Sequence, residues 1–493
     1  MNGTRLQVSE RNMSKLKTVL FFIGTFFCSL TFAKQNVILI LTDDQSPHLS
    51  MLGTPGIETP NMDALARQGI YFDSAFAASA SCAPSRTAIL TGMWPHSNGT
   101  WRNVVTPRLN SPDRAFSTET HVRDRVGIGE HVPTLPEILK EHGYFTAITQ
   151  KLHLSPAWRY PFDARDPVQS TPSRFKAVIE SFIDQAGDKP FFIMANVAAP
   201  HRPYRTHLRN NPDQALPDAD SIEIPPFLPD VPGVRRDMQE YYACVEIADA
   251  CVGAILEGLE AAGVRDETLV IFSSDQGMPI HHAKASGYPG GIRIPLSVTG
   301  PGVVTAQRNS TPVSHVDFAP TILDYLGIEI PPNMQGLSLG PLLSGAPTLD
   351  GRKYVIAEHN SHGPDPREHF PQRAVTDGQW YYVLNLNPDK TQVLPADLRG
   401  VGPWGNNAYP AILEAKESHP EEYWFLARFG MPRDKEHLYR LDDDPWGVND
   451  LARDEEAQEV LSKFREVTER WRRETNDIER SPLEIPRHTE SGR

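Results

Sequence analysis

The chain reads as an α/β protein: a large, mostly parallel sheet flanked by helices, followed by a smaller α+β domain. Three observations predict this. Four short apolar runs rich in β-branched residues have the length of buried strands: NVILIL (36–41), YFTAIT (144–149), PFFIMANV (190–197) and TLVIFS (268–273). Stretches of helical periodicity lie between and beyond them. Each of those stretches stops at a glycine, the residue that most easily leaves a helix through a left-handed turn.

In order, NVILIL opens the domain and PNMDALARQG closes on Gly69, PTLPEILKEHG on Gly143, the 237–262 segment on Gly263 and DFAPTILDYLG on Gly327. Strand–helix alternation over residues 35–330 implies crossover connections and hence a parallel sheet. Residues 201–235 are proline-rich and irregular and read as a long surface loop. Beyond about residue 345, RKYVIAEH, RAVTDGQWYYVLNLN and EHLYRLDDD read as strands of a small sheet, and EVLSKFREVTERWRRETND as a closing amphipathic helix.

At the N-terminus, Lys15 and Lys17 precede TVLFFIGTFFCSLTFA (18–33), the pattern of a secretory signal peptide cleaved after Ala33. The apolar run is short for a membrane span, and TFFC lacks the residues expected before a lipidated Cys28. The expected organisation is a signal peptide (1–33), a catalytic α/β domain (34–345), a smaller domain (350–480) and a tail (481–493) in an exported, periplasmic or secreted protein with no membrane span after processing. A net charge of −14 argues against nucleic acid or an anionic membrane as partner. Cys244 and Cys251 stand seven apart on one helical pattern, about 10 Å between Cα atoms at ~1.5 Å per residue, too far for a disulfide. Cys82 is then free for something other than stapling.

The four apolar runs all end in polar residues. NVILIL leads to Asp43 and Asp44, TLVIFS to Asp275 and Gln276, YFTAIT to Lys151 and His153, and PFFIMANV to His201. Ligand sites of open parallel sheets lie beyond the carboxyl ends of the strands, so these side chains are expected at one edge. Asp43, Asp44, Asp275 and the Gln276 amide are hard oxygen donors suited to Ca²⁺ or Mg²⁺. Cys82 lies at the start of a short helix, SCAPSRTAILTG, with Pro84 in the first turn and Arg86 one turn on. On chemistry alone it is either a low-pKa thiolate nucleophile at a helix N-terminus or a buried structural cysteine.

SCAPSRTAILTG resembles the signature of the type I sulfatases, Cys-x-Pro-x-Arg followed by an apolar pair, Thr and Gly. The Asp-Asp after the first strand, the later DQG and the distal LYRLDDDPWGVNDLA match further family landmarks. The resemblance implies an alkaline-phosphatase-like sulfatase fold and oxidation of Cys82 to formylglycine by a maturation system. It implies attack of the aldehyde hydrate on sulfur and collapse of the sulfate ester to restore the aldehyde. It further implies one Ca²⁺ held by Asp43, Asp44, Asp275, Gln276 and the modified Cys82, with Arg86 stabilising them. His153 would serve the formylglycine hydroxyl, and Lys151, His201 and Lys284 the sulfate or leaving group. Most sulfatases carry Asn where Gln276 stands; the amide oxygen is kept on one more methylene.

Within the family, SDQGMPIHHAK, EHNSHGPDPREHFPQRAV and RWRRETND resemble the N-sulfoglucosamine sulfohydrolase branch, whose bacterial relatives include enzymes acting on algal polysaccharides such as ulvan. The implied substrate is a sulfated saccharide, cleaved at a sulfate ester or sulfamate. His281, His282, His359, His362 and Arg373 are the candidate sugar contacts. A phosphonate monoester or phosphodiester hydrolase of the same superfamily and an inactive sulfated-glycan-binding protein stay open as alternatives, and a homodimer stays open as an assembly.

Overall fold

A computed structural model describes Met1 and residues 35–104, 126–400 and 405–477. The signal peptide and the tail of the sequence reading lie outside these residues, Met1 excepted. In chain order the strands of the first region are β1 (Asn36–Thr42), β2 (Ile70–Phe72), β3 (Ala75–Phe76), β4 (Phe145–Thr149), β5 (Ala164–Asp166), β6 (Phe191–Val197), β7 (Thr268–Ser274), β8 (Leu296–Thr299), β9 (Gln307–Asn309) and β10 (Val313–Ser314). Eight of them form one sheet in the order β5-β4-β6-β1-β7-β8-β2-β9, while β3 and β10 pair separately. The sheet is parallel except at β8, which runs antiparallel to both neighbours. Only a four-residue helix, Pro289–Ile292, separates β7 from β8, too short for a crossover, so the chain returns antiparallel through a segment (275–295) that carries Gln276 and Lys284.

β1 is central, paired with β6 on one side and β7 on the other, and all seven of its residues are buried. Alternation sends its side chains to two cores. Val37, Leu39 and Leu41 join the core containing Ile89 and Leu90 of the Cys82–Thr91 helix and Phe318 of the Phe318–Tyr325 helix. Ile38 and Ile40 face the Pro172–Ala186 and Pro232–Ala261 helices through Phe175, Ile179, Cys251 and Ile255. Burial on both faces explains why these strands read as continuous apolar runs. Gly69 follows its helix with φ −134°, and the need for glycine is steric: a Cβ there would lie 2.0 Å from the Val298 carbonyl oxygen.

Two features differ from the sequence reading. The long helix starts at Pro232, five residues before the expected 237, because proline suits the first helical turn. The 201–235 segment is no plain surface loop; it contains a helix, Tyr204–Asn210, and buries Tyr204, Ile222, Phe227 and Leu228 against the long helix.

The second sheet is antiparallel: β11 (Val355–Ser361), β12 (His369–Thr376), β13 (Trp380–Asn385) and β14 (Glu436–Arg440) in sequence order. The Gln458–Glu474 helix lays Leu461, Phe464, Val467 and Trp471 on one face, against Ile356, Val375, Tyr382 and Leu438. The other face packs Ala357, Tyr381 and Val383 on Phe76, Tyr288 and Ile292 of the first region. Both sheets lie in one compact unit beginning at Gln35. No helix among the described residues is long and apolar enough to cross a membrane.

Candidate active site

The carboxyl ends of β1, β4, β6 and β7 meet the first turn of the Cys82–Thr91 helix. Ser81 precedes that helix in an extended conformation, and Gly92 ends it with φ +63°. Cys82 is 2% exposed; its Sγ lies 3.8 Å from Asp43 Oδ1 and 3.0 Å from Gln276 Nε2. Burial pushes its thiol up to about 12 despite the opposing pull of Lys151 and Lys284. This direction is the opposite of the one a low-pKa thiolate nucleophile needs.

Asp43 accepts Lys151 Nζ at 2.7 and 3.0 Å, and Arg86 Nη2 stands 3.4 Å from its Oδ2. Burial raises its carboxyl, but Lys151, His201, Arg86 and Lys284 together hold it well below the usual carboxylate range. Asp44, with φ +68°, accepts Lys284 Nζ at 2.8 Å and Gln276 Nε2 at 2.5 Å. Its carboxyl is raised by burial, against Lys284. Asp275 stands behind them: its Oδ2 accepts Arg86 Nε at 2.9 Å and its Oδ1 the Asp44 amide at 3.0 Å. Burial, with Asp43 adding to it, pushes the Asp275 carboxyl up to about 7.

Around this centre His201 Nε2 lies 3.2 Å from Lys284 Nζ, and burial followed by Lys284 drops its pKa to about 3. His153 bonds the Val104 carbonyl at 3.0 Å through Nε2 and leaves Nδ1 without a partner; burial, then Lys151 and Arg86, keeps it neutral. Asp43, Cys82, Lys151, His153, His201 and His362 line one cavity of about 880 Å³.

The donor set can hold a divalent cation. Asp43, Asp44, Cys82 and His201 offer atoms within 4.8 Å of one another. The buried Gln276 Oε1 has no partner, and rotating the amide by half a turn presents this oxygen toward Asp44 and Cys82 in place of the NH₂.

Four of the five sugar-contact candidates are not in this cavity. Arg373 is 1% exposed and bound to Asp477, Asn360 and the Gln372 carbonyl. His282 is fully buried between the Trp446 and Gly447 carbonyls and Arg428, and His281 packs edge-on to Phe227. His359 lies under Ser81, 3.5 Å from its hydroxyl. Strand pairing turns His359 and Arg373 inward, and packing against Phe227 and the Trp446 segment buries His281 and His282, which a loop reading overlooks. Three residues were not singled out from sequence. Asn196 on β6 binds Arg86 Nη1 at 2.9 Å, and its place at the end of an apolar run was a usable signal. Asp397 pairs with Lys284 at 2.8 Å, and Asn103 stands 3.3 Å from His362; both come from loops without periodicity.

A family model described as Sulfatase matches residues 35–328. The chain belongs to the sulfatase family. It is a sulfuric-ester hydrolase with the family's alkaline-phosphatase-like architecture, and membership implies a formylglycine and a divalent cation. A second model, N-sulphoglucosamine sulphohydrolase, C-terminal, matches residues 281–384. Human N-sulphoglucosamine sulphohydrolase is 28% identical over 481 residues, covering 90% of this sulfatase and 91% of that protein. An ulvan-active sulfatase of Formosa agariphila is 26% identical over 472 residues, covering 89% and 74%. The solved structure of BT4656 in complex with its substrate D-glucosamine-2-N,6-O-disulfate superposes with a TM-score of 0.65 at 20% identity, covering 92% and 100%.

Proposed function

We propose that this sulfatase removes sulfate from a saccharide of the N-sulfoglucosamine type, with Cys82 as the residue converted to formylglycine and Asp43, Asp44, Asp275 and Gln276 as ligands of one Ca²⁺. The observation that carries the reading is the convergence of Lys151, His201 and Lys284 on two buried aspartates beside Cys82. When present, the formylglycine hydrate and the cation supply an acidified hydroxyl and a polarised sulfate oxygen. The remaining work belongs to the chain. Arg86, held by Asp275 and Asn196, is a fixed cation behind the carboxylates. Lys151, whose side chain is 23% exposed in the cavity, donates to a sulfate oxygen as charge develops. Neutral His153 accepts a proton at Nδ1, and Lys284 with His201 serves the leaving atom.

The C-terminal family match and the human relative support the sulfamate reading, and the Formosa relative favours a second one, an algal sulfated polysaccharide. His362, Asn103 and Asp397 at the cavity wall are the sugar contacts of either reading. The signal-peptide pattern of residues 15–33 supports export, and conversion of Cys82 requires a maturation partner. Release of sulfate from N-sulfoglucosamine, glucosamine 6-sulfate and ulvan oligosaccharides, run beside an aryl phosphonate, tests the assignment. Maturation appears in the Cys82 peptide as exchange of H₂S for O. Preference for the phosphonate, or full turnover by Cys82→Ala, would overturn the proposal.

A further inference from the structure

A second cavity, of about 700 Å³, shares no lining residue with the one at Cys82. It lies where the segments after β1 and β2 meet the β12–β13 turn at Asp377 and the Leu441–Trp446 stretch. One wall is aromatic: the His48 ring is 5.3 Å from Tyr242 and 5.7 Å from Trp446. Three polar groups on the lining have unused bonding capacity. Tyr71 is 2% exposed, and its hydroxyl has no hydrogen-bond partner among the described residues. His48 bonds the Tyr241 hydroxyl through Nδ1 at 3.3 Å and leaves Nε2 unbonded. The Arg293 side chain makes one hydrogen bond, from Nη1 to the Pro445 carbonyl at 3.2 Å, and no ion pair among the described residues.

The Tyr71 hydroxyl, His48 Nε2 and the remaining Arg293 nitrogens stay open to the cavity, so a ligand entering it can take their bonds. Burial lowers the Arg293 pKa, and Tyr71, Tyr381 and Asp73 offset this only in part. The acids of the lining are committed or at the rim. Asp73 holds Arg308 Nε at 2.9 Å, Asp377 accepts the Trp380 amide at 2.9 Å, and Asp442 accepts Gln379 Nε2 at 2.8 Å. Glu223 is exposed at the mouth.

We propose that this cavity is a second saccharide site, in which an anionic group on a pyranose ring takes hydrogen bonds from Arg293, Tyr71 and His48 while the ring packs on the aromatic wall. Three donors on the lining of one cavity suit a carboxylate or a sulfo group, and the apolar face of a sugar suits aromatic rings. The site stands independently of the reaction assigned to Cys82. A polymeric ligand held here and at the Cys82 cavity would engage the second point at raised effective concentration.

Calorimetric titration of the full chain with glucuronate, with sulfoquinovose (whose C–S bond is not hydrolysed) and with glucose tests it. Both anionic sugars are expected to bind and glucose to bind far more weakly. Loss of a charge-assisted bond in Arg293→Gln lowers affinity about 10- to 100-fold, and Tyr71→Phe lowers it roughly 3- to 10-fold. Tyr71→Phe removes only an unpartnered hydroxyl, so it keeps thermal stability and decides the matter should Arg293→Gln not fold. Lys151→Met separates the two cavities: it weakens binding at Cys82 and leaves the Arg293-dependent event intact. A tighter glucuronate assigns a carboxylate ligand, a tighter sulfoquinovose a sulfo group. Unchanged affinity in Tyr71→Phe and Arg293→Gln, no binding of either anionic sugar, or glucose binding as tightly as glucuronate would overturn the proposal.

Discussion

Replacing Arg373 with methionine separates a scaffold role from a sugar-contact role. The guanidinium is 1% exposed and donates to Asp477 at 2.7 and 2.6 Å, to Asn360 at 3.0 Å and to the Gln372 carbonyl at 2.8 Å. Removing one partner of a buried ion pair costs about 3–5 kcal/mol, because the remaining charge is left uncompensated. Here Arg472 keeps a 3.0 Å bond to Asp477, which places the expected loss near the lower end. With unfolding entropy of about 2.1 cal/mol/K per residue over roughly 450 residues, a loss of about 3 kcal/mol lowers Tm by about 3 °C. Differential scanning fluorimetry reads this directly, and adding Asp477→Asn is expected to recover part of the loss. Since Arg373 lies outside the Cys82 cavity, kcat/KM on a small sulfate ester should stay within about twofold, under about 0.5 kcal/mol. An unchanged Tm with kcat/KM down about tenfold or more would refute the reasoning and restore the sugar-contact role.

The same pair has a pH signature. Burial raises the Asp477 carboxyl, but Arg373, His96 and Arg472 outweigh it and bring it from 3.8 down to about 2. A depressed folded-state value contributes stability that is complete above about pH 4 and is lost as pH falls toward about 2. Tm measured across that interval should fall more steeply for the native chain than for Arg373→Met. Gln276→Leu, which removes the amide oxygen, should lower cation affinity at least about 10- to 100-fold, whereas Gln276→Asn should retain most of it; calorimetric Ca²⁺ titration after chelation checks both. Lys284→Met should lower kcat by about 10²- to 10³-fold through loss of a buried cation beside the reacting centre. Sulfate release measured at saturating substrate reads that change.

The parts of this chain legible in advance are those where one local cause dominates. Strands buried on both faces appear as unbroken apolar runs, and the polar residues after them fall at one sheet edge because the strands are parallel. Cys82 and Arg86 are visible through a dense local motif. The rest depends on contacts between distant segments. Asp397 matters through Lys284, 113 positions earlier in the chain, and nothing in LPADLRG announces that pairing. His282 and Arg373 are polar residues in a polar stretch, yet pairing and packing take both inward. The Pro172–Ala186 helix, by contrast, spaces Phe175, Ile179, Phe182 and Ala186 at helical intervals and could have been read.

The central position of β1 orders events during synthesis. This strand comes first in the compact unit, yet Thr42 meets Ser273 and Asp44 meets Asp275 across 231 residues. Until β6 and β7 exist, Asp43 and Asp44 have no counterpart carboxylate or amide, and the first turn at Cys82 has nothing to bury it. At about 5–20 residues per second, the roughly 190 residues that separate Cys82 from Gln276 take on the order of ten seconds or more to emerge. The oxidation proposed for Cys82 has that interval as its natural window, before a side chain left only 2% exposed passes beyond a modifying enzyme's reach.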